Sequence, residues 1–173
     1  MFSKNQITFH LPIVFDAKIL DQILIHELGV HYRRNVNHLK NFGPLPKTLT
    51  TPQRKTEEGL AQYMTDKLSQ NRYSFYLACL KYLLVDLAQK SSFSEVYAFA
   101  MKHLQNEKRA FNSTLRVKRG LTDTAQPGGY TKDLVYLEGY VEIENWVAQN
   151  GFDEEKLFQG KLSLEEIDHA QSK

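Results

Sequence analysis

Apolar positions in the first third of the chain recur at helical spacing. Ile19, Ile23, His26 and Val30 form one stripe, and Leu20, Leu24, Leu28 and His31 form a neighbouring one. Two histidines therefore adjoin the apolar side of a predicted helix that Asp16 can cap. This helix is expected to end around Arg33, Arg34 and Asn35, and residues 37–53, with Gly43, Pro44, Pro46 and Pro52, read as a loop. A second helix follows, with Thr56 as its cap and Leu60, Ala61, Met64 and Leu68 inward. Residues 72–89 are apolar almost all round and predict a buried central helix, its tyrosines and Cys79 in the core. Ser94 opens a further helix to about Gln105, with Val96, Tyr97, Ala100, Met101 and Leu104 inward and His103 outward. Another covers Glu107 to Val117. A long helix is expected from Lys132 to Gln149, with Leu134, Leu137 and Val141 inward and Gly151 at its end. Residues 153–159 and 164–170 read as short helices, Ser163 capping the second, and the tail 171–173 as frayed. Ahead of them all, Ile7 to Phe15 mixes β-branched and aromatic residues and carries Pro12, the pattern of one edge strand. The expected fold is α+β and mainly helical, with a small N-terminal β element, in a single domain over residues 1–173.

Within the first helix lies the one stretch with obvious chemistry, His26-Glu27-Leu28-Gly29-Val30-His31. Two imidazoles can ligate zinc, and a carboxylate beside the first can act as a base. The usual spacing, H-E-x-x-H, places both histidines on one helical face. Here one residue more intervenes. At about 100° per residue, an i,i+5 pair on a regular α-helix stands about 140° apart, too far round for one ion. A π-type widening over residues 26–31 would restore convergence, and Gly29 lowers the resistance of the backbone to it. Regular α-geometry would leave two ordinary histidines, one buried and one solvated. On the second helix, Glu57 and Glu58 could complete a His₂Glu donor set. Periodicity puts Glu57 at the centre of the buried face and Glu58 about 100° round from it, which favours Glu57.

Three blocks, taken together, resemble a known family. They are the H-E-x-x-x-H stretch; Glu57-Glu58-Gly59-Leu60-Ala61; and Arg116-Val117-Lys118-Arg119-Gly120-Leu121-Thr122-Asp123-Thr124-Ala125-Gln126-Pro127-Gly128, followed by Lys132-Asp133-Leu134-Val135-Tyr136-Leu137. In this order they resemble the microtubule-associated tyrosine carboxypeptidases and their bacterial QEGLA-motif relatives, over roughly residues 20–145. The resemblance implies a zincin-like helical core and a zinc carboxypeptidase that removes a C-terminal residue, of the tyrosine or the glutamate and aromatic type, from a protein or peptide. It selects Glu58 over Glu57, because only that position is always a carboxylate in the family. His26, His31 and Glu58 would bind Zn²⁺, Glu57 would orient a histidine, and Glu27 would take a proton from an activated water. Arg116, Arg119 and Lys132 become candidates for the substrate carboxylate, and Tyr136 for an oxyanion donor or, equally, a core tyrosine. The cluster Lys108, Arg109, Arg116, Lys118 and Arg119 also reads as a solvated basic helix end. The family's domain is longer on the N-terminal side, so the chain reads as a shortened member with an incomplete cleft. An inactive metal-binding domain and a protein-interaction module are therefore the alternatives.

Composition adds only bounds. A net charge of +2 gives no reason to expect nucleic acid as a partner. The single cysteine excludes an intrachain disulfide and a cysteine-rich zinc site. The absence of an apolar leader and of a run of about 18 apolar residues leads to the expectation of a cytoplasmic protein without a membrane span. Oligomeric state is left open.

Overall fold

The computed structural model describes residues 2–3, 6–7, 17–70 and 72–170. It is mainly helical. The helices are α1 (Ala17–Leu24), α2 (Arg33–Asn41), α3 (Thr51–Ser69), α4 (Tyr73–Ala88), α5 (Phe93–Leu104), α6 (Glu107–Lys118), α7 (Leu134–Asn150), α8 (Glu154–Phe158) and α9 (Leu164–His169). A π-helical segment, Ile25–Tyr32, runs between α1 and α2, and a 3₁₀ turn, Thr131–Asp133, leads into α7. The expected small N-terminal β element is not seen. Phe2 stands opposite Ile7 and Ser3 opposite Gln6, a two-residue pairing too short for a sheet layer. The rest of the strand expected over Ile7–Phe15, and the Asp16 cap, lie outside the described residues.

Several boundaries differ from the sequence expectation. The first helix does not stop at Arg33; it continues through Asn41, because none of residues 33–41 is a glycine or proline. Thr50, not Thr56, caps α3, in a reciprocal capping box with Gln53. Pro52 then falls in the first turn, where its missing N–H costs no helical bond. Thr56 is buried inside α3 and its hydroxyl accepts from the Leu164 N–H at 3.1 Å. Likewise Ser92, not Ser94, caps α5, paired with Glu95.

Contacts group the chain into two compact units, residues 1–75 with 138–173, and residues 76–137. In the first unit, Val30, Leu60, Ala61, Ile143, Trp146, Leu157, Phe158 and Ile167 form the core. Leu68, Ile19, Leu28 and Val141, expected inward, are exposed. α3 and α7 meet backbone to backbone at Gly59 and Gly139. A Cβ on Gly59 would lie 2.2 Å from the Gly139 carbonyl, and one on Gly139 would lie 2.1 Å from the Lys55 oxygen. Asp66 on α3 accepts from the Ser74 and Phe75 N–H groups at 3.0 and 2.9 Å, closing the first turn of α4.

The second unit packs Leu80, Leu84, Val85, Ala88, Val96, Ala100, Ala110 and Val117. Its part of α4 is not buried all round, since Tyr76, Tyr82 and Leu83 are exposed. Lys118 corrects the reading of a solvated basic end. It is fully buried, and its ammonium donates to the carbonyls of Ala88, Ser91 and Gln126. Those bonds, with Gly128 N–H to Ala88 and Tyr130 N–H to Val117, pin the 119–130 loop to the ends of α4 and α6. Within the R-x-K-R-G-x-T-D-T segment, Lys118 is thus the residue that fastens the loop.

Candidate metal centre

The π segment answers the spacing problem posed by His26 and His31. Its i→i+5 turn carries the extra residue, and the two imidazole centroids stand 4.7 Å apart with the rings nearly perpendicular. Gly29 is not there for clearance. A Cβ would meet only ordinary contacts at 3.9 and 4.0 Å, so the glycine contributes backbone freedom to the distorted turn.

α3 lies alongside the π segment and brings Glu58 to the pair. Its Oε2 is 3.7 Å from His26 Nε2 and 3.8 Å from His31 Nε2. One ligand atom from each of the three residues lies within 4.8 Å of the others. Zinc bonds of about 2.0–2.2 Å place tetrahedral ligands roughly 3.3–3.5 Å apart, so the three atoms would have to draw inward to hold an ion. The donor types, two imidazole nitrogens and one carboxylate oxygen, fit zinc. Burial alone would push the Glu58 carboxyl up, but His26 and His31 hold it below its ordinary value.

Glu57 is the more deeply buried neighbour and turns the other way. Its Oε1 lies 2.6 Å from His31 Nδ1, and its Oε2 accepts from Arg34 Nη1 at 2.6 Å. The Lys161 ammonium closes on Oε1 as well. Burial would raise this carboxyl, but Arg34, His31 and Lys161 together hold it far below the carboxylate range. With Nδ1 engaged, His31 presents Nε2 to Glu58, the orientation a ligand needs. Burial lowers His31, but the Glu57 contact outweighs it and the net shift is upward.

Glu27 lies beside His26, and both line a cavity of about 220 Å³ whose other walls include Ile19, Ile23 and Thr65. Arg116, Arg119, Lys132 and Tyr136 belong to the second unit. There Arg116 grips the buried Asp133 carboxylate through two nitrogens, which raises its own basicity. Arg119 stacks on Tyr130 at 3.9 Å, Lys132 is exposed, and the Lys81 ammonium stands 3.9 Å over the Tyr136 ring.

Arg34 and Lys161 are the residues that sequence reasoning missed. Arg34 carried a signal, a charge followed at helical spacing by Asn37, His38 and Asn41. Lys161, remote in sequence and in a short polar turn, carried none.

Widened helix, donor trio and adjacent acid define a class: a helical protein with two histidines and a glutamate grouped so that they could hold a metal ion. Comparison with known proteins gives the family. The chain matches the microtubule-associated tyrosine carboxypeptidase family over residues 1–172, and it belongs to that family. It is 34% identical over 155 residues to the human microtubule-associated tyrosine carboxypeptidase 1, covering 87% of this chain and 32% of that protein. Its similarity to the mouse protein of the same name is also 34% over 155 residues, covering 86% and 32%. The rat protein of that name is 34% identical over 130 residues, covering 72% and 27%. The chain thus spans less than a third of the length of the curated relatives it matches. Among the described residues, no helix is long and apolar enough to cross a membrane.

One stability prediction arises from the wall of this centre. His38 is buried, and its Nδ1 accepts the Lys161 N–H at 3.1 Å. Burial, with Arg34 and Lys161 nearby, lowers its pKa against the smaller upward pulls of the Pro44 backbone and Glu166. The unfolded chain therefore binds the His38 proton more readily, and stability rises with pH through the window just below the unfolded value of about 6.5. The urea midpoint should fall more steeply between pH 7 and pH 5 in wild type than in His38→Gln. Parallel curves would remove His38 from the acid sensitivity.

Proposed function

We propose that this chain is the metal-bearing part of a zinc-dependent carboxypeptidase acting on protein or peptide C-termini, with terminal tyrosine the side chain suggested by the names of its relatives. The observation that carries the reading is the meeting of His26, His31 and Glu58 at one point, with Glu27 next to the first ligand and Glu57 behind the second. A zinc ion held by this trio would supply Lewis acidity, lowering the pKa of a water and polarising a carbonyl oxygen. The chain's own groups do the rest. Glu27 takes a proton from the attacking water and hands it to the departing amine. Glu57 keeps His31 in one tautomer and one rotation. The cavity beside His26 and Glu27 admits the scissile peptide. For Arg119 and Lys132 as holders of the terminal carboxylate, and Tyr136 as an oxyanion donor, support comes from the sequence resemblance. Arg116, committed to Asp133, is better read as a brace for the start of α7.

The test is the metal content of the purified protein by elemental mass spectrometry, beside Glu58→Ala. Near one zinc per chain in wild type and little in the variant is the expected result. Wild-type protein that stays metal-free after reconstitution at neutral pH would overturn the reading.

A further inference from the structure

Two buried cations on one carboxylate are more than a hydrogen-bonded histidine needs. Burying charge is costly unless each group is paired and bonded, and here Arg34 and Lys161 both close on the Glu57 carboxylate, holding it ionised and in one place. Both Arg34 and Lys161 are below one-tenth exposed. Arg34 reaches Glu57 from α2, the direct continuation of the helix that carries the histidines. Lys161 reaches it from the far end of the chain, in the turn between α8 and α9.

That turn is held at four points by one face of α2. Arg34 Nη2 donates to the Leu162 carbonyl at 2.8 Å, and Asn37 Nδ2 to that of Phe158 at 2.7 Å. Asn41 Nδ2 donates to the Gln159 carbonyl at 2.9 Å, and His38 accepts from the Lys161 N–H. Residues 34, 37, 38 and 41 follow the i, i+3, i+4, i+7 rule for a single helical face. Gly160 permits the approach, because a Cβ there would come within 3.0 Å of the Phe42 ring and of His38 Nδ1. A backbone fastened this way delivers the Lys161 ammonium to a fixed place.

We propose that Lys161 is a positioning residue for the metal centre: anchored by α2, it fixes the Glu57 carboxylate, which in turn fixes His31 for ligation. The C-terminal α8–α9 segment is then part of the metal site although it supplies no ligand. This role rests on His26, His31 and Glu58 being the ligands.

The experiment measures zinc affinity of the full chain by competition with a chromogenic chelator, for wild type, Lys161→Met, Glu57→Gln and the double variant, with Glu58→Ala as reference. Loss of an outer partner of a ligating histidine typically costs about 10–100-fold in metal affinity, and that drop is expected for Lys161→Met. Because Lys161 acts through Glu57, the same change in the Glu57→Gln background should cost only about 2-fold or less. Nitrogen NMR of His31 should show a single Nδ1–H tautomer in wild type and a mixture in Lys161→Met, at an unchanged unfolding midpoint that rules out general loosening of the fold. If Lys161→Met loses its helical circular dichroism, Lys161→Gln takes its place, with weakened zinc binding at intact helicity expected. Wild-type affinity in the folded Lys161 variant, or equal losses in both backgrounds, would overturn the role of Lys161 while leaving the zinc site standing. Absence of zinc binding by wild type would overturn the site and this role together.

Discussion

Replacing Glu27 by glutamine is expected to lower turnover of a peptide ending in tyrosine by about 10²–10⁴-fold, the usual worth of a positioned general base. Zinc content and unfolding midpoint should stay at wild-type values. The two amino acids are nearly the same size, and a glutamine side chain would still face the cavity that Glu27 shares with His26. What it loses is the capacity to accept and return a proton. Steady-state assays of the zinc-loaded protein, paired with elemental analysis of the same sample, make the measurement. Undiminished turnover would take Glu27 out of the chemistry. A joint fall in zinc content would instead place it among the groups that hold the metal.

The largest effect on folding is expected at Gly59. Alanine there would set its Cβ 2.2 Å from the backbone of Gly139, where no side-chain rotation can relieve the clash. α3 and α7 would have to separate, opening the core around Leu60, Ala61, Ile143 and Trp146. Overpacking costs of about 1–3 kcal/mol are typical where side chains can adjust; here a loss of about 3 kcal/mol or more is expected. For a chain of this size that corresponds to an apparent melting midpoint lower by about 6–12 °C. Thermal unfolding followed by circular dichroism tests it, and a shift of under about 2 °C would show that the two helices meet less closely. Zinc affinity should fall as well, since Glu58 precedes this glycine directly. The glycine of the E-E-G-L-A stretch therefore has a structural reason distinct from the carboxylate beside it.

How far the sequence reached depended on whether the deciding force was local. The widened helix was legible because His26 and His31 cannot meet on a regular one, and the last short helix was legible from its Ser163 cap. Choosing between Glu57 and Glu58 was not a matter of periodicity. Periodicity found the buried residue, and burial went to the carboxylate that gathers cations, while the one at the margin faces the imidazoles. The start of α3 was misplaced because Thr50 and Thr56 are both acceptable caps, and only the Gln53 side chain decides between them. Lys118 looked like surface charge because nothing nearby in sequence announces three carbonyls waiting for it. Lys161 was invisible for the same reason, its partner lying 104 positions away.

The π segment also works as a phase keeper. One residue inserted into a regular α-helix turns everything beyond it by about 100° relative to what precedes it, whereas a widened turn absorbs the residue and leaves the two flanking stretches in step. In this chain the parts on either side both have fixed targets: His26 and Glu27 face the cavity, while Arg34, Asn37, His38 and Asn41 face the α8–α9 turn. Deleting one residue between the histidines, with return to a regular α-helix, would recreate the commoner H-E-x-x-H spacing and leave the gripping face of α2 on its turn, with Lys161 still at Glu57. Straightening the segment without the deletion would instead swing that face off the turn and part the two imidazoles. The extra residue and the widened turn therefore belong together, and the two spacings differ by one residue absorbed at one place.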